Sequence, residues 1–437
     1  MILKLLYGPL LNLFGVLYLP HFLKRLGQTP DKGRFFRERF GYFPNHFDHP
    51  NVVWLHAVSV GEVLAAKEFV RILRNRYPQI QIVLSTTTPT GQVIAKKWEA
   101  EGVRVIYFPF DFLNVIKRAL DVIQPKCIVI METEIWPNLI GEASRRKIPI
   151  GIINGRISDR AFKRYLWLKS FFAEPLGNLS YCLACHERDK ERFIKLGVSP
   201  DRVKVTGNMK FDQEIKDVSG RLNELRELWH LGDSQILIGG STHAGEEEML
   251  IGVFGRLRTE FPKLKLVLAP RHVERSSKVV NLAESAGYQV TLASQGYREV
   301  SDILVLDLMG VLSKYYGIAD LVFVGGSLIR HGGQNPIEVA RERRAILHGP
   351  YVFNFEDVYE RLNRSKGALL VHDASELYRA ILSLLKDSAK LQKMGSEAFQ
   401  VVEGLKGASQ RNYDLLKPWL LQGDIVQESV KQSVNVP

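Results

Sequence analysis

The stretch NVVWLHAVSVGEVLAAKEFVRILRNRY, residues 51–77, joins an apolar run to a segment of helical period. The connection AVSVG is built mostly of small residues, and the carboxylate of Glu62 follows it. An apolar strand that leads directly into an amphipathic helix is the first half of a βαβ unit. The pattern predicts an α/β fold with a parallel sheet, in which Glu62 lies at the start of a helix just after a buried strand.

The same alternation of strand-like and helix-like segments continues along most of the chain. Predicted strands of the first half are VVWLHA, IQIVLSTT, VRVIYF, CIVIME, IPIGIIN, SYCLAC and VKVT. Those of the second half are QILIGGS, LKLVLAP, YQVTLA, DILVLD, LVFVGGS, AILHG and GALLV. Continuous apolar strands, buried on both faces, are typical of doubly wound sheets.

The alternation pauses around VTGNMKFDQEIKDVSG, which marks a domain boundary. We therefore predict two α/β domains, residues 27–209 and 210–417, with a separate segment at 1–26 and a tail at 418–437. Two such domains are expected to face each other across a cleft, where sheets of this class bind their ligands at the carboxyl ends of the strands.

The first 26 residues differ in composition from the rest of the chain. From Leu5 to Leu19 the only clearly polar side chain is Asn12. Such a run of about 15 to 19 apolar residues is slightly shorter than the ~20 that span a bilayer. Basic residues follow it, namely Lys24, Arg25, Lys32, Arg34, Arg37 and Arg39. We predict a membrane-anchoring helix that spans the bilayer or lies in one leaflet, with the body on the cytoplasmic side; the alternative is a buried first helix.

Charge and cysteine content restrict the possible functions. The chain has 437 residues, 46% hydrophobic and 24% charged, which excludes a disordered or polytopic membrane protein. Its net charge of +12 indicates an anionic partner, which could be a nucleic acid, a phosphorylated metabolite or a membrane surface. Cys182 and Cys185 form a C-x-x-C inside a predicted strand, where they point to opposite faces, so a redox or zinc role is not expected.

Motifs of common nucleotide-binding enzymes are missing from the sequence. It contains no G-x-G-x-x-G, G-x-x-x-x-G-K-[ST], D-x-D or H-E-x-x-H. Glu132 and Glu134 of METE are possible metal ligands, but no metal is predicted.

In the second half, small residues follow the predicted strands and lead into helices. GGSTHAGEE contains Ser241, Thr242 and His243, FVGGSL contains Gly326 and Ser327, and HGGQNPIE contains Gly333, Asn335 and Glu338. Free backbone N–H groups at helix starts favour a phosphate. Arg271 of APRH and Lys210 of GNMKFD add cations that could bind a phosphate or a carboxylate. We predict an anion-binding pocket in the second domain, although each motif alone is also explained by chain turns.

The strand ends of the first half carry hydroxyls and carboxylates instead. They include Ser59, Gly61 and Glu62, then Thr87 and Thr88, then Glu132 and Glu134, and finally Arg156. Such a surface suits a polyhydroxylated acceptor. The helix dipole stabilises the anion of Glu62, which could accept a proton from an attacking hydroxyl; the alternative is a carboxylate that only caps its helix.

Nine motifs in register are similar to those of the bacterial 3-deoxy-D-manno-octulosonic acid (Kdo) transferases. They are HAVSVGE, TTTPTG, METEIWPN, VTGNMKFD, STHAGEE, APRH, FVGGSL, GGQNPIE and GPYVFNF, and the resemblance extends to about residue 415. It implies a GT-B fold of two Rossmann-like domains with an N-terminal anchor on the cytoplasmic face of the inner membrane. The implied reaction is an inverting transfer of Kdo from CMP-Kdo to the tetraacylated lipid A precursor, lipid IVA. No metal or cofactor is implied, since CMP-Kdo is a co-substrate.

The resemblance also implies roles for particular residues. Glu62 would be the general base, and Glu132 or Glu134 would orient the acceptor or support the site. The CMP phosphate and the Kdo carboxylate would be held by Lys210, Arg271 and the residues of STH and GGS, and Glu338 would bind the ribose. Gln334 stands where some relatives have histidine, and no role is assigned to it.

Two other functions are weighed against this one. The first is a GT-B enzyme that uses a UDP-sugar. It would share the fold and would be distinguished by an assay of which sugar nucleotide it accepts as donor. A basic nucleic-acid-binding protein would explain the charge, but no nucleic-acid module is recognisable, so nucleic acid is not expected as a partner. In the segment FKRYLWLKSFF, the side chains of Lys163, Arg164, Tyr165, Trp167 and Phe171 are expected either in an interfacial patch on an anionic membrane or on a helix packed by its aromatic residues.

Overall fold

The computed structural model describes residues 27, 31–43, 47, 51–212, 222–229, 231–296 and 301–420. The predicted membrane-anchoring segment lies outside them, apart from its flank, as do most of the predicted linker and the tail beyond Leu420. No helix in the described ranges is long and apolar enough to cross a membrane.

The described residues form two compact units, and each contains one parallel sheet. The first unit comprises the residues up to Asp212 together with those from Lys406 onward, and the second comprises the residues between. Each predicted strand is present, so the prediction of two parallel α/β domains is confirmed. Their predicted arrangement across a cleft stays a prediction.

The described part of the first unit contains a seven-stranded sheet with the order β3-β2-β1-β4-β5-β6-β7. Its strands are β1 Val52–His56, β2 Gln81–Thr86, β3 Arg104–Tyr107, β4 Cys127–Met131, β5 Ile150–Gly155, β6 Tyr181–Ala184 and β7 Val203–Val205. The helices of its part before Asp212 are α1 Lys32–Arg39, α2 Val60–Arg76, α3 Pro89–Lys96, α4 Leu113–Ile123, α5 Pro137–Arg145, α6 Asp159–Trp167, α7 Lys169–Gly177 and α8 Glu187–Leu196.

Both faces of this sheet are buried, as the continuous apolar strands predict. Val53 and Leu55 of β1 pack into one hydrophobic cluster, whereas Val52 and Trp54 pack into another on the opposite face. The strand order changes direction between β1 and β4, and ligands of doubly wound sheets bind at such a point. Glu62 follows β1, so it lies beside this position.

The second unit repeats the architecture with the order β10-β11-β9-β8-β12-β13-β14 in its described residues. Its strands are β8 Ile236–Thr242, β9 Lys265–Pro270, β10 Val290–Leu292, β11 Ile303–Val305, β12 Leu321–Val324, β13 Ala345–His348 and β14 Ala368–Leu370. Its helices are α9 Leu222–Leu228, α10 Glu246–Leu257, α11 Ser276–Ser285, α12 Leu312–Tyr315, α13 Ile337–Arg341, α14 Glu356–Arg364, α15 Ala374–Leu385 and α16 Ser388–Leu405. Its switch point lies between β8 and β12.

The units differ from the predicted domains at two places. Lys210 lies in the turn Met209–Asp212, which belongs to the first unit, and so does α17, Ala408–Leu420. The predicted second domain, 210–417, therefore has to be corrected. The physical reason is the apolar face of α17, because Leu416 and Leu420 join the same core cluster as β1.

Candidate active site

Glu62 lies in the first turn of α2, directly after β1, as the sequence predicts. Its side chain is buried, with 8% of its surface exposed. The Val58 N–H donates to Glu62 Oε2 at 2.9 Å, and the Ser59 hydroxyl donates to Oε1 at 3.0 Å. Each carboxylate oxygen is thus held by one donor, which fixes the direction of the side chain.

The surroundings of Glu62 raise its pKa, whereas the helix dipole alone would lower it. Burial raises the pKa of Glu62, and the charge of Glu132 raises it further, against the hydrogen bonds from Val58 and Ser59 and the charge of Lys210. Desolvation penalises the charged form more than the donors stabilise it. A raised pKa makes the carboxylate a better proton acceptor than an exposed glutamate.

Glu132 follows β4 and forms an ion pair with Lys210. Lys210 Nζ lies 2.7 Å from Glu132 Oε1, and Glu132 has a φ of 56°, in the left-handed region. Lys210 therefore contacts a carboxylate of the first unit. Its predicted donor-binding role stays a prediction.

Glu134 has a different environment from Glu132. Burial, followed by the charges of Glu62 and Glu132, raises the pKa of Glu134 to about 7. No described residue donates a hydrogen bond to its carboxylate or forms an ion pair with it. The sequence could not distinguish the two acids of ETE, and the structure gives Glu132 a cation and leaves Glu134 to hold a proton near neutral pH.

The other predicted acceptor-binding residues of this unit differ in whether their side chains already have partners within the fold. The Thr88 hydroxyl accepts from the Gly91 N–H and donates to the Val58 carbonyl, both at 3.1 Å, so it is used within the fold. Thr87 Oγ1 is buried and lacks a partner among the described residues. Arg156 is exposed, and Gly61 has open space where a Cβ would stand.

In the second unit, the end of β8 is held by two consecutive buried glutamates of α10. Thr242 is fully buried, and its hydroxyl donates to Glu247 Oε1 at 3.0 Å. Arg275 donates to the same oxygen at 2.9 Å. Thr242 is therefore a structural residue here, and Ser241 beside it has a φ of 53° and is only partly buried.

Glu246 binds the loop after β12 through backbone N–H groups. Oε2 accepts from Gly326 at 2.7 Å and from His243 at 3.1 Å. Oε1 accepts from Ser327 and from Leu328, both at 3.0 Å. The prediction that the N–H groups of Gly326 and Ser327 are free for a phosphate is thus corrected, because the protein's own carboxylate already occupies this anion-binding position.

Close packing explains the small residues of this loop. A Cβ on Gly325 would lie 2.5 Å from the Ser241 carbonyl oxygen. The Ser327 hydroxyl is buried, donates to the Val324 carbonyl at 2.5 Å and accepts from the Gly349 N–H at 2.8 Å. Gly333 has a φ of 72°. These residues shape the loop, and any contact of theirs with a donor stays a prediction.

Arg271 is a cation of the second unit that the described residues leave available. It follows β9, its side chain is exposed, and its guanidinium forms no hydrogen bond or ion pair with a described residue. His243 lies near it, and burial together with the charges of His331 and His272 lowers the pKa of His243 to about 4. His243 is therefore neutral at pH 7, and Arg271 and Arg275 supply positive charge beside it.

Asn335 and Glu338 lie at the short helix α13. Asn335 Nδ2 donates to Glu338 Oε1 at 3.1 Å, and burial raises the pKa of Glu338. Arg271 acts electrostatically on Glu338, so the structure brings these two predicted donor-binding residues into the same neighbourhood.

Two residues that hold the site together, Glu246 and Asn154, were not assigned a role from the sequence. Glu246 is the first acid of GGSTHAGEE, and Asn154 is the last residue of the predicted strand IPIGIIN. An acid that opens a helix directly after a strand-end turn was the available signal for Glu246. For Asn154, the signal was an asparagine at a strand end, a residue type that tolerates left-handed backbone.

The described ranges contain no group of histidine, cysteine, aspartate or glutamate residues that could hold a metal ion. Cys127, Cys182 and Cys185 are all buried.

Comparison with known proteins extends these observations. Residues 34–213 match the model of the 3-deoxy-D-manno-octulosonic-acid transferase (kdotransferase) family. A 3-deoxy-D-manno-octulosonic acid transferase of Haemophilus influenzae is 36% identical over 388 residues, which cover 88% of this chain and 91% of that one. Another from Bordetella pertussis is 31% identical and covers 84% of this chain and 87% of its own. A solved glycosyltransferase from Rickettsia africae ESF-5 aligns with a TM-score of 0.59 at 13% identity over 86% of this chain and 99% of its own, which shows a shared fold.

Two parallel α/β units, with carboxylates after strands of the first sheet and an arginine and glycine-rich loops after strands of the second, are consistent with the GT-B class of two-domain glycosyltransferases. The chain belongs to the Kdo transferase family of lipopolysaccharide biosynthesis.

Proposed function

We propose that this protein transfers Kdo from CMP-Kdo to a hydroxyl of the tetraacylated lipid A precursor, lipid IVA, with inversion at the anomeric carbon. Glu62 acts as the general base. The observation that carries this proposal is the group of three carboxylates after β1 and β4. Within it, Glu62 is buried, a hydrogen bond from the backbone fixes the direction of its carboxylate, and its pKa is raised.

The proposed step is a displacement in which one bond forms and one breaks. The acceptor hydroxyl oxygen attacks the anomeric carbon of Kdo, and its proton moves to the Glu62 carboxylate. The bond between that carbon and the phosphate oxygen breaks, so CMP leaves with the electron pair. Attack from the face opposite to CMP gives the inversion.

The three carboxylates have different roles because their surroundings differ. Lys210 neutralises Glu132 at 2.7 Å. Glu134 has a pKa of about 7, so it carries a proton for part of the time at neutral pH and adds less negative charge. Both effects limit the repulsion that Glu62 experiences, and groups whose environments separate their pKa values take different roles.

The second unit is proposed to bind CMP-Kdo without a metal or cofactor. CMP-Kdo carries one phosphate and one carboxylate, and Arg271 offers a guanidinium that no described residue uses. Glu338, partly held by Asn335, is proposed to accept hydrogen bonds from the ribose hydroxyls. A fixed cation can stabilise the negative charge of departing CMP.

Direct assay tests the function. Purified full-length protein should convert the tetraacylated lipid A precursor to a product heavier by one or more Kdo units when CMP-Kdo is supplied, as measured by mass spectrometry. UDP-N-acetylglucosamine should give no product. Transfer from the UDP-sugar alone, or product formation that EDTA abolishes and Mg²⁺ restores, would contradict the proposal.

We also propose that the protein works at the cytoplasmic face of the inner membrane, with the corner of α6 and α7 against anionic lipid. Trp167 is 83% exposed and Leu166 is 41% exposed. Basic residues surround them, since Arg160, Lys163, Arg164 and Lys169 are all exposed. The aromatic side chains of Phe162, Tyr165 and Phe172 pack against the core instead, so both sequence interpretations of this segment find support in different residues.

Removing this patch should weaken membrane association. The triple variant Trp167→Ser, Lys163→Ser, Arg164→Ser should lower binding to vesicles with anionic lipid about 30-fold in a sedimentation assay, because each of the two basic residues near such a surface contributes about 1 kcal/mol. The charge-matched control is Lys390→Ser with Lys393→Ser on α16, where both lysines are exposed. An equal loss in the control, or no loss in the triple variant, would refute the patch.

A further inference from the structure

Asn154 occupies a strained position at the end of β5. Its φ is 53°, in the left-handed region, and only 1% of its surface is exposed. Asparagine tolerates this conformation better than most residues, but strain of this kind persists only where the surrounding structure enforces it. Glu132, at the end of the neighbouring strand β4, has a φ of 56°.

The side chain of Asn154 holds the turn that carries Lys210. Asn154 Oδ1 accepts from the Met209 N–H at 2.9 Å and from the Cys185 thiol at 3.2 Å. Met209 is fully buried, so its N–H has to find an acceptor within the protein. Lys210 is the next residue.

The other end of this turn is held independently. The Asp212 carboxylate accepts from the Gly407 N–H at 2.6 Å and from the Ser409 N–H at 2.5 Å. Both N–H groups lie at the start of α17, the helix that packs on the core of the first unit. The turn is therefore fixed at Met209 and at Asp212, and Lys210 between them reaches Glu132 at 2.7 Å.

We propose that Asn154 is a positioning residue for Kdo transfer: its side-chain carbonyl fixes the Met209–Asp212 turn and so keeps the Lys210 ammonium on Glu132, beside Glu62. This inference rests on the proposed function. Asn154 contacts no substrate and acts only through Lys210. A displacement of about 1 Å at a catalytic group can cost on the order of 100-fold in rate.

The test compares Asn154→Gly with Lys210→Met and with the double variant. Glycine accepts the left-handed backbone but removes the acceptor, and it should lower kcat by roughly 10- to 100-fold. In the Lys210→Met background the same change should cost less than about twofold, because residues that act through one contact are not additive. Asn154→Asp keeps an acceptor oxygen and should restore most of the rate.

Equal losses from Asn154→Gly with and without Lys210 would overturn the proposal, and so would an unchanged rate in the single variant. The thermal unfolding midpoint is measured for each protein. If Asn154→Gly does not fold, Asp212→Asn weakens the other end of the turn and should show the same non-additivity with Lys210→Met.

A second measurement does not depend on transfer. After reductive ¹³C-methylation, the Lys210 resonance, assigned by its loss in Lys210→Met, should shift in Asn154→Gly in the same direction as in Glu132→Gln. An unshifted resonance would refute the positioning role even if Kdo transfer were established. A shifted resonance in a protein without transfer activity would support the positioning role and contradict the proposed function.

Discussion

Replacing Glu62 by glutamine is expected to lower kcat for Kdo transfer by about 10²- to 10⁴-fold, the range that a positioned general base contributes. Glutamine has nearly the same shape and can still accept the Val58 N–H through its carbonyl oxygen, but it cannot take a proton. Donor affinity, measured by titration calorimetry with CMP, should stay unchanged, since CMP is proposed to bind the second unit.

The folded state should tolerate this change. Burial raises the pKa of Glu62 in the folded protein, so the charged form destabilises the fold above the ordinary glutamate pKa and the destabilisation grows as pH rises to the folded value. A neutral glutamine avoids that cost, and the unfolding midpoint at pH 8 should not fall by more than a few degrees. Glu68→Gln, further along α2, removes a surface acid bonded to Arg71 and serves as the matched control.

The pH dependence of kcat distinguishes the role of Glu62 from that of Glu134. In the parent enzyme, kcat should fall as pH drops through the Glu62 pKa, since a protonated base cannot act, and Glu62→Gln should abolish this dependence. Glu134→Gln imitates the protonated acid of pKa about 7 and should keep most of the activity at pH 6. If Glu134→Gln caused the large loss while Glu62→Gln remained active, the two roles would have to be exchanged.

Most of the fold was predictable because the strands are short, β-branched and buried on both faces. Even the short strands β6 and β7 form where the segments SYCLAC and VKVT predict them. The location of α17 was not predictable, because its apolar face is equally compatible with either domain. Only the packing of Leu416 and Leu420 decides it.

The candidate site was predictable in its residue types but only partly in its contacts. Parallel topology brings the strand ends together, so Glu62, Glu132 and Glu134 were expected as neighbours. The sequence could not show that Lys210 pairs with Glu132, because the two are far apart along the chain. Nor could it show that Glu246 uses the N–H groups predicted to bind phosphate, because a glutamate at a helix start is equally suited to remain in solvent.

Because Glu246 already binds the N–H groups of that loop, we expect Arg271 to supply the positive charge that binds the donor. A phosphate that cannot use the N–H groups of Gly326 and Ser327 needs another positive partner, and His243 is neutral at pH 7 because its pKa is about 4. Arg275 is already paired with the buried Glu247. Arg271 alone among these cations has an exposed guanidinium with no ion pair to a described residue.

Arg271→Ala should therefore weaken CMP-Kdo binding by roughly 30-fold, about 2 kcal/mol, which is typical of a hydrogen bond to a charged group. The loss should appear in the donor KM and in the Kd for CMP, with the acceptor KM unchanged. Arg271→Lys keeps the charge but not the paired N–H groups, so it should recover only part of the affinity. Lys263→Ala, which removes an exposed cation just before β9 at the opposite edge of the sheet, should have no effect on binding. An unchanged donor KM in Arg271→Ala would mean that another group of the second unit binds the phosphate. Glu246 would then have to release its N–H groups when the donor binds.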